Sequence, residues 1–262
     1  MNTIVAALWV SATVLAASPD DDRVAAASAG VRVWLTRDGA ASWQKIATER
    51  SAHDDEQPVR ALVFHEDHLL FATSTGLKAM SLTGGGVEVR SARRLDTLAS
   101  TDGWLYATSA EFLLRSHDGG KSFERVLDLP VAPAKSLAHG GLGWVVSSAD
   151  GVYVNADGAW QRWAGLGGTG HERATAVSGS GDGSVWLASA LGLFRATGRD
   201  VTVMTTLATT AVAVGPSRVW LAAPGQITTL AHLASARPPP VRGRSVRPTG
   251  DLTGLARRIT RA

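Results

Sequence analysis

A unit of about forty residues recurs along this 262-residue chain, and no other feature restricts its fold as much. Five segments share one pattern: an aromatic residue, alternating small and apolar residues, a glycine or turn, then an apolar pair. They are Phe71-Ala-Thr-Ser-Thr-Gly-Leu77, Trp104-Leu-Tyr-Ala-Thr-Ser109, Trp144-Val-Val-Ser-Ser-Ala-Asp-Gly-Val152, Trp186-Leu-Ala-Ser-Ala-Leu-Gly-Leu193 and Trp220-Leu-Ala-Ala-Pro-Gly-Gln-Ile227. Val24 to Val31 is a sixth copy without the aromatic. A second short apolar run precedes each copy, centred on Leu15, Leu62, Leu98, Leu137, Val177 and Val212. Successive centres lie 47, 36, 39, 40 and 35 residues apart.

Short strands at this spacing predict an all-β repeat fold, a β-propeller of six blades, with seven as the alternative that length alone suggests. Thr101-Asp102-Gly103 and Gly181-Asp182-Gly183 read as hairpin turns between strands. Nothing alternates with a helical pattern, which argues against a parallel α/β sheet. A four-stranded blade cannot bury both faces alone. Stacking blades around an axis buries them and leaves short, protected edges. The recurrent aromatic at the start of the second strand suits packing between neighbouring blades.

After the third strand, two copies carry a special turn. One is Thr36-Arg37-Asp38-Gly39-Ala40-Ala41-Ser42-Trp43, the other Ser116-His117-Asp118-Gly119-Gly120-Lys121-Ser122-Phe123. The aspartate accepts backbone N–H groups, glycine supplies positive φ, and the aromatic pins the outer strand. Both turns resemble the Asp-box of bacterial neuraminidase-type repeats, Ser/Thr-x-Asp-x-Gly-x-Ser/Thr-Trp/Phe. Ala40 replaces the usual glycine in the first, which predicts a looser turn there, and Asn155-Ala156-Asp157-Gly158 reads as a degenerate third.

Over residues 13–230 the chain resembles non-catalytic Asp-box propellers, including photosystem II assembly factor-like and sortilin-like domains. Sialidases and some endoglucanases share that architecture. The resemblance implies that Thr36, Asp38, Gly39, Ser42, Trp43, Ser116, Asp118, Gly119, Gly120, Ser122 and Phe123 are structural and lie away from any catalytic centre. It also implies a binding or scaffold module for a protein or polysaccharide partner, with a sialidase-like or other glycan-active hydrolase as the alternative. No catalytic, cofactor or metal residue is assigned. A sialidase needs an arginine cluster, a tyrosine nucleophile with a carboxylate partner, and an acid. The usual Arg-Ile-Pro motif is absent, and the two tyrosines, Tyr106 and Tyr153, sit inside predicted strands as packing residues.

The innermost strand of each blade lines the central channel. Two residues before each strand centre stand Thr13, Arg60, Asp96, Lys135, Thr175 and Thr210. This ring of hydroxyl and charged groups is a candidate site for a small anionic or polar ligand at one channel mouth. Its plainer reading is a hydrated lining in balanced charge. His65-Glu66-Asp67-His68 has metal-binding residue types but falls in an expected hairpin turn, where charged groups are solvated. Asp20-Asp21-Asp22 occupies the matching turn of the first blade and lacks the spacing of a calcium loop. Gly165 to Gly170 has no helix after it to hold a phosphate, and reads as an inter-blade loop.

Composition bears mainly on the ends. The chain carries +3, yet residues 231–262 hold seven Arg against one Asp, so residues 1–230 sum to −3. The body therefore presents no net positive field for nucleic acid. Cysteine is absent, which excludes disulfides and thiolate metal sites. Residues 1–12 read either as a signal segment, implying export, or, through residues 2–7, as a strand closing the last blade, implying a cytoplasmic protein. The apolar run from Ile4 to Ala17, short and broken by Ser11 and Thr13, does not read as a transmembrane helix. Residues 231–262 read as a Pro/Arg-rich linker followed, from Asp251, by a short basic helix suited to an anionic surface.

Overall fold

A computed structural model describes residues 12–46, 58–163, 174–198 and 200–231. The expected signal or closing segment over 1–12, the glycine loop at 165–170 and the basic tail lie almost wholly outside these residues. Within them the chain is all-β, a six-bladed propeller. Blades 1 to 6 span residues 14–46, 61–91, 97–128, 136–162, 174–205 and 211–231. Five are four-stranded antiparallel meanders, and in blade 6 three strands are described.

The innermost strands are Val14–Ala17, Ala61–His65, Thr97–Thr101, Ser136–Gly140, Ala174–Gly179 and Ala211–Val214. Each contains one of the six centres read from the sequence. Each packs beside the next, and the first packs beside the last, so the ring closes. All six run in the same sense along the axis. One face of the propeller therefore carries their starts and the other their ends. The turns joining first to second strands, and third to fourth, lie on the second face.

Alternation explains the core. Along each strand one set of side chains faces the preceding blade and the other the following one. Phe71 packs on Val33 and Leu35 of blade 1. Trp186 packs on Val212 and Leu221 of blade 6, and Trp220 on Ala25 and Ala27 of blade 1. The aromatics do pack between blades, but they do not share one register position. Opposite the inner-strand centres stand Ala27, Phe71, Ala107, Val146, Leu187 and Leu221. Phe71 is itself that residue, Trp186 and Trp220 precede it by one, Trp144 by two and Trp104 by three. Phe71 and Trp144 therefore face the preceding blade, while Trp104, Trp186 and Trp220 face the following one.

The degenerate third box is a simpler feature. Ala156 pairs with Ala159, so Asp157 (φ 60°) and Gly158 (φ 83°) form a two-residue hairpin turn.

Candidate functional site

The six inner strands enclose a channel of about 630 Å³. At the starting mouth the side chains of the candidate ring turn largely to neighbouring backbone and blades. Arg60 Nη1 donates to Asp96 Oδ1 at 2.8 Å, joining blades 2 and 3. The Asp96 carboxylate is buried and also accepts the Ala110 N–H. Thr175 donates to the carbonyls of Ala188 and Thr209. Thr210 donates to those of Ala12 and Ala222. Thr13 makes a long 3.5 Å bond to Ser28 O. Lys135 lines the channel, exposed, and makes no ion pair with another described residue. Four of the six, Thr13, Arg60, Lys135 and Thr175, are at the channel wall.

The ending mouth is lined by Ser100, Thr101, His139, Ser178, Ser180 and Asp182 among others. Asp182 is the carboxylate among the described lining residues. Burial pushes its pKa up, but hydrogen bonds from Ser184 and Ser180 and the charge of Arg195 outweigh this and hold it below the ordinary range. His65 is buried rather than solvated, because its ring turns inward to Ser100 Oγ at 2.9 Å. Burial lowers its pKa, partly offset by Glu66. His68 pairs with Asp67 and Arg90. No group of three metal-ligating side chains occurs among the described residues.

Both Ser/Thr-x-Asp turns lie on this ending face and make nearly the same bonds. Asp118 accepts from the Lys121 and Ser122 N–H groups and from the Ser116 and Ser122 hydroxyls. These bonds, that from the Ser122 hydroxyl foremost, hold its carboxyl well below the usual range. Asp38 accepts the hydroxyl and N–H of Ser42 and the Thr36 hydroxyl, which lowers its pKa to about 2. The turn at Ala40 is not looser. Its N–H reaches Thr36 Oγ1 at 3.0 Å, against 2.9 Å for Gly120 to Ser116, and Ala40 itself adopts φ 77°. At Gly120 (φ 90°) a Cβ would stand 2.2 Å from the buried Leu77 side chain of blade 2, which must then shift, so glycine is favoured there, whereas Ala40 packs in the cluster of Trp220 of blade 6. Trp43 completes that cluster, edge-on to Trp220 at 6.2 Å.

Comparing the seams between blades reveals a site that the sequence reading missed. At one level of the barrel, a residue facing the following blade meets a residue facing the preceding one. The pairs, matched by register and each sharing a core cluster or ring contact, are, from seam 1–2 round to seam 6–1, Ala26 with Leu69, Leu70 with Leu105, Tyr106 with Trp144, Val145 with Val185, Trp186 with Val219, and Trp220 with Ala25. Ten of these twelve side chains are 0 or 1% exposed. A tryptophan is matched by valine or alanine, and medium residues meet medium residues, as close packing demands. Seam 3–4 breaks the pattern. It carries two large rings, centroids 4.4 Å apart and tilted by 54°, and both are only partly buried, packed on the cluster of Leu113, Leu137 and Val146.

Cross-strand pairing extends this pair into two facing rows. In blade 4, His139, Trp144, Asn155 and Trp160 stand directly opposite one another across all four strands. In blade 3 the row is Ala99, Tyr106, Arg115 and Glu124. The His139 ring lies 4.7 Å from that of Trp144. Its backbone is held by blade 5: a Cβ at Gly179 would fall 2.1 Å from His139 O. Arg115 pairs with Glu124, and its guanidinium also lies over Trp104. Trp160 Nε1 donates to Asp128 O across the rim of the seam. Asn155 is buried, and its Nδ2 has no partner among the described residues. The rows run from the channel wall at His139 to the outer strand.

No protein-family model matches the chain, and no curated protein does. Solved structures do match. One is YCF48 bound to D1 peptide, at 14% identity and TM-score 0.54, over 84% of this chain and 82% of that one. Another is in the nidogen/laminin complex, at 9% identity and TM-score 0.61, over 78% and 87%. A third is the extracellular domain of the two-component system BT4673 from B. thetaiotaomicron, at 13% identity and TM-score 0.52, over 83% and 32%. At such identities the similarity shows the β-propeller fold and nothing narrower. Among the described residues no helix is long and apolar enough to cross a membrane.

Proposed function

We propose that this chain is a non-catalytic, exported binding propeller of the Asp-box type that docks a protein partner on the face carrying the ends of its innermost strands. The observation that carries this reading is seam 3–4, where Tyr106 and Trp144 are only partly buried at a level that is fully buried in the other five seams. Aromatic side chains with polar tips are the usual anchors of protein interfaces. The two Asp turns fasten blades and leave recognition to the seam and the channel mouth. Two structural neighbours support a protein partner: YCF48 is seen with D1 peptide, and nidogen with laminin.

Glycoside hydrolysis, the competing chemistry, uses two carboxyl groups about 5–10 Å apart. Asp182, the carboxylate at the described channel wall, is instead held by Arg195 and Ser184. The test pairs a short-peptide array with a panel of sialosides and β-glucans. The reading predicts saturable peptide binding that Trp144→Ala removes, and no turnover. Turnover of any glycoside by the wild-type chain overturns it.

A further inference from the structure

Resting on the reading that the ending face docks a protein partner, we infer that the arginine-rich C-terminal segment of this chain lies across the acidic mouth of that face and competes there with the partner. Three observations point to this occupant.

The first is the charge of the mouth. The six turns between first and second strands hold seven carboxylates and one cation, Arg23. The carboxylates belong to Asp20, Asp21 and Asp22 of blade 1, Glu66 and Asp67 of blade 2, Asp102 of blade 3 and Asp182 of blade 5. Three are already engaged: Asp21 with Arg23, Asp67 with His68 and Asp182 with Arg195. Asp20, Asp22, Glu66 and Asp102 make no ion pair with another described residue, and Asp20, Glu66 and Asp102 are exposed. These four form an arc over blades 1 to 3. The outer turns of the same face, between third and fourth strands, come close to balance, with Arg37 and Lys121 against Asp38, Asp118 and Asp157.

The second is the contrast with the opposite face. Its described turns and connections hold Arg60, Arg93, Arg94 and Lys135 against Asp96, Glu111 and Asp150. The disc is therefore acidic at one mouth and mildly basic at the other, and a cationic segment is drawn to one face only.

The third is the point at which the chain leaves the fold. In the last described strand, Gln226–Ala231, Ala231 stands opposite Arg218. Arg218 directly follows the ending-face turn at 215–217, so the chain leaves blade 6 on the acidic face, beside blade 1. The sequence that follows, residues 232–262, holds seven Arg against Asp251. The first and third strands of a blade lie about 10 Å apart. Arg237 is six residues beyond Ala231, a reach of up to about 20 Å, so Arg237, Arg242, Arg244 and Arg247 all come within range of the mouth. One exposed ion pair contributes little. Here several act together, and the tether sets the local concentration of the segment near the millimolar range.

The test uses the full chain. It has no cysteine, so Ser245→Cys gives a single attachment point for a benzophenone, whose photo-crosslinks are mapped by mass spectrometry. The inference predicts intramolecular crosslinks to the turns at 18–24, 66–67 and 102–103 at low salt. Their yield should fall about fivefold or more in about 1 M NaCl, where the screening length is about 3 Å. Asp20→Asn/Glu66→Gln/Asp102→Asn should reduce them as far, with the urea midpoint unchanged. Glu111→Gln/Asp150→Asn removes two carboxylates from the opposite face and should leave them as they are. Arg237→Gln/Arg242→Gln/Arg244→Gln/Arg247→Gln keeps the mouth intact and uncovers it, and should strengthen binding of the arrayed peptides severalfold. Crosslinks to the starting face, crosslinks that survive salt and the triple substitution, or crosslinks only between two copies overturn the inference. So does peptide binding that the four Arg→Gln changes leave unaltered. If the crosslinks map to the mouth while no arrayed peptide binds, the partner reading falls and the contact of the segment with the mouth stands.

Discussion

Two seams of this propeller solve the same problem in opposite ways. Where blade 6 meets blade 1, Trp220 is fully buried against Ala25 and Ala27, with Trp43 edge-on to it. Asp22 of blade 1 accepts the N–H and hydroxyl of Ser217 in blade 6, and Thr210 donates to Ala12 O. Large meets small, and hydrogen bonds from both faces of the disc clip the edges together. Where blade 3 meets blade 4, large meets large. Tyr106 and Trp144 pack on each other and stay only partly buried, and Asn155 is left with an unused donor. The first seam joins the last described blade to the first, so the closed ring depends on it. The second lies within continuous chain, where neither blade can drift away, so it can give up some packing for recognition.

The largest expected effect falls on the sealed seam. Trp220→Ala removes a buried indole facing alanines that cannot fill the gap, and should cost about 3–5 kcal/mol in urea unfolding. Trp144→Ala, at the open seam, should cost about 1–2 kcal/mol while abolishing peptide binding. Equal losses would erase the distinction between the seams. Next comes Gly120→Ala, in the turn that abuts blade 2. A Cβ there meets Leu77 at 2.2 Å on a backbone at φ 90°, for an expected loss of about 1–3 kcal/mol in the same assay.

These contrasts were only partly legible in the sequence. The six inner-strand centres stood out because each is a short apolar run between turn residues, repeated at a nearly constant interval. The three strands of the last blade were equally visible. The seam was hidden by register. Trp144, Trp186 and Trp220 look equivalent when aligned on the tryptophan, because each is followed by apolar and small residues. Pairing places Trp144 one position earlier than the other two relative to the inner strand, and a one-residue slip turns a side chain to the opposite face. Trp186 and Trp220 thus fill seams 5–6 and 6–1, while Trp144 meets Tyr106. The Asp22 clip was hidden too, because its partner lies 195 residues away. A signal existed in Tyr106 and Trp144 both being large where other copies pair large with small or medium with medium, but it needs the register to be read.

Smaller effects sharpen the account of the sealed seam. Asp22→Ala should lower stability by about 1 kcal/mol, measured by thermal unfolding, through loss of the Ser217 bonds. Acid should weaken the same seam through Asp38. Its folded pKa, near 2, lies below the ordinary 3.8, so its stabilising contribution is complete above that ordinary value and is lost as pH falls through the folded one. Urea unfolding between about pH 5 and about pH 2.5 should therefore show a smaller drop for Asp38→Asn than for the parent chain. Ala40→Gly relieves an alanine held at φ 77° but loosens the unfolded chain, and should change stability by less than about 1 kcal/mol.

The double replacement Tyr106→Leu/Trp144→Leu tests the central claim most directly. It copies the Leu70–Leu105 pair that seals the neighbouring seam 2–3. If seam 3–4 is held open for binding rather than for stability, the urea midpoint of the double variant should equal or exceed that of the parent, with the peptide binding found on the array gone. A loss of about 3 kcal/mol or more, the cost expected of a true core pair, would contradict the account.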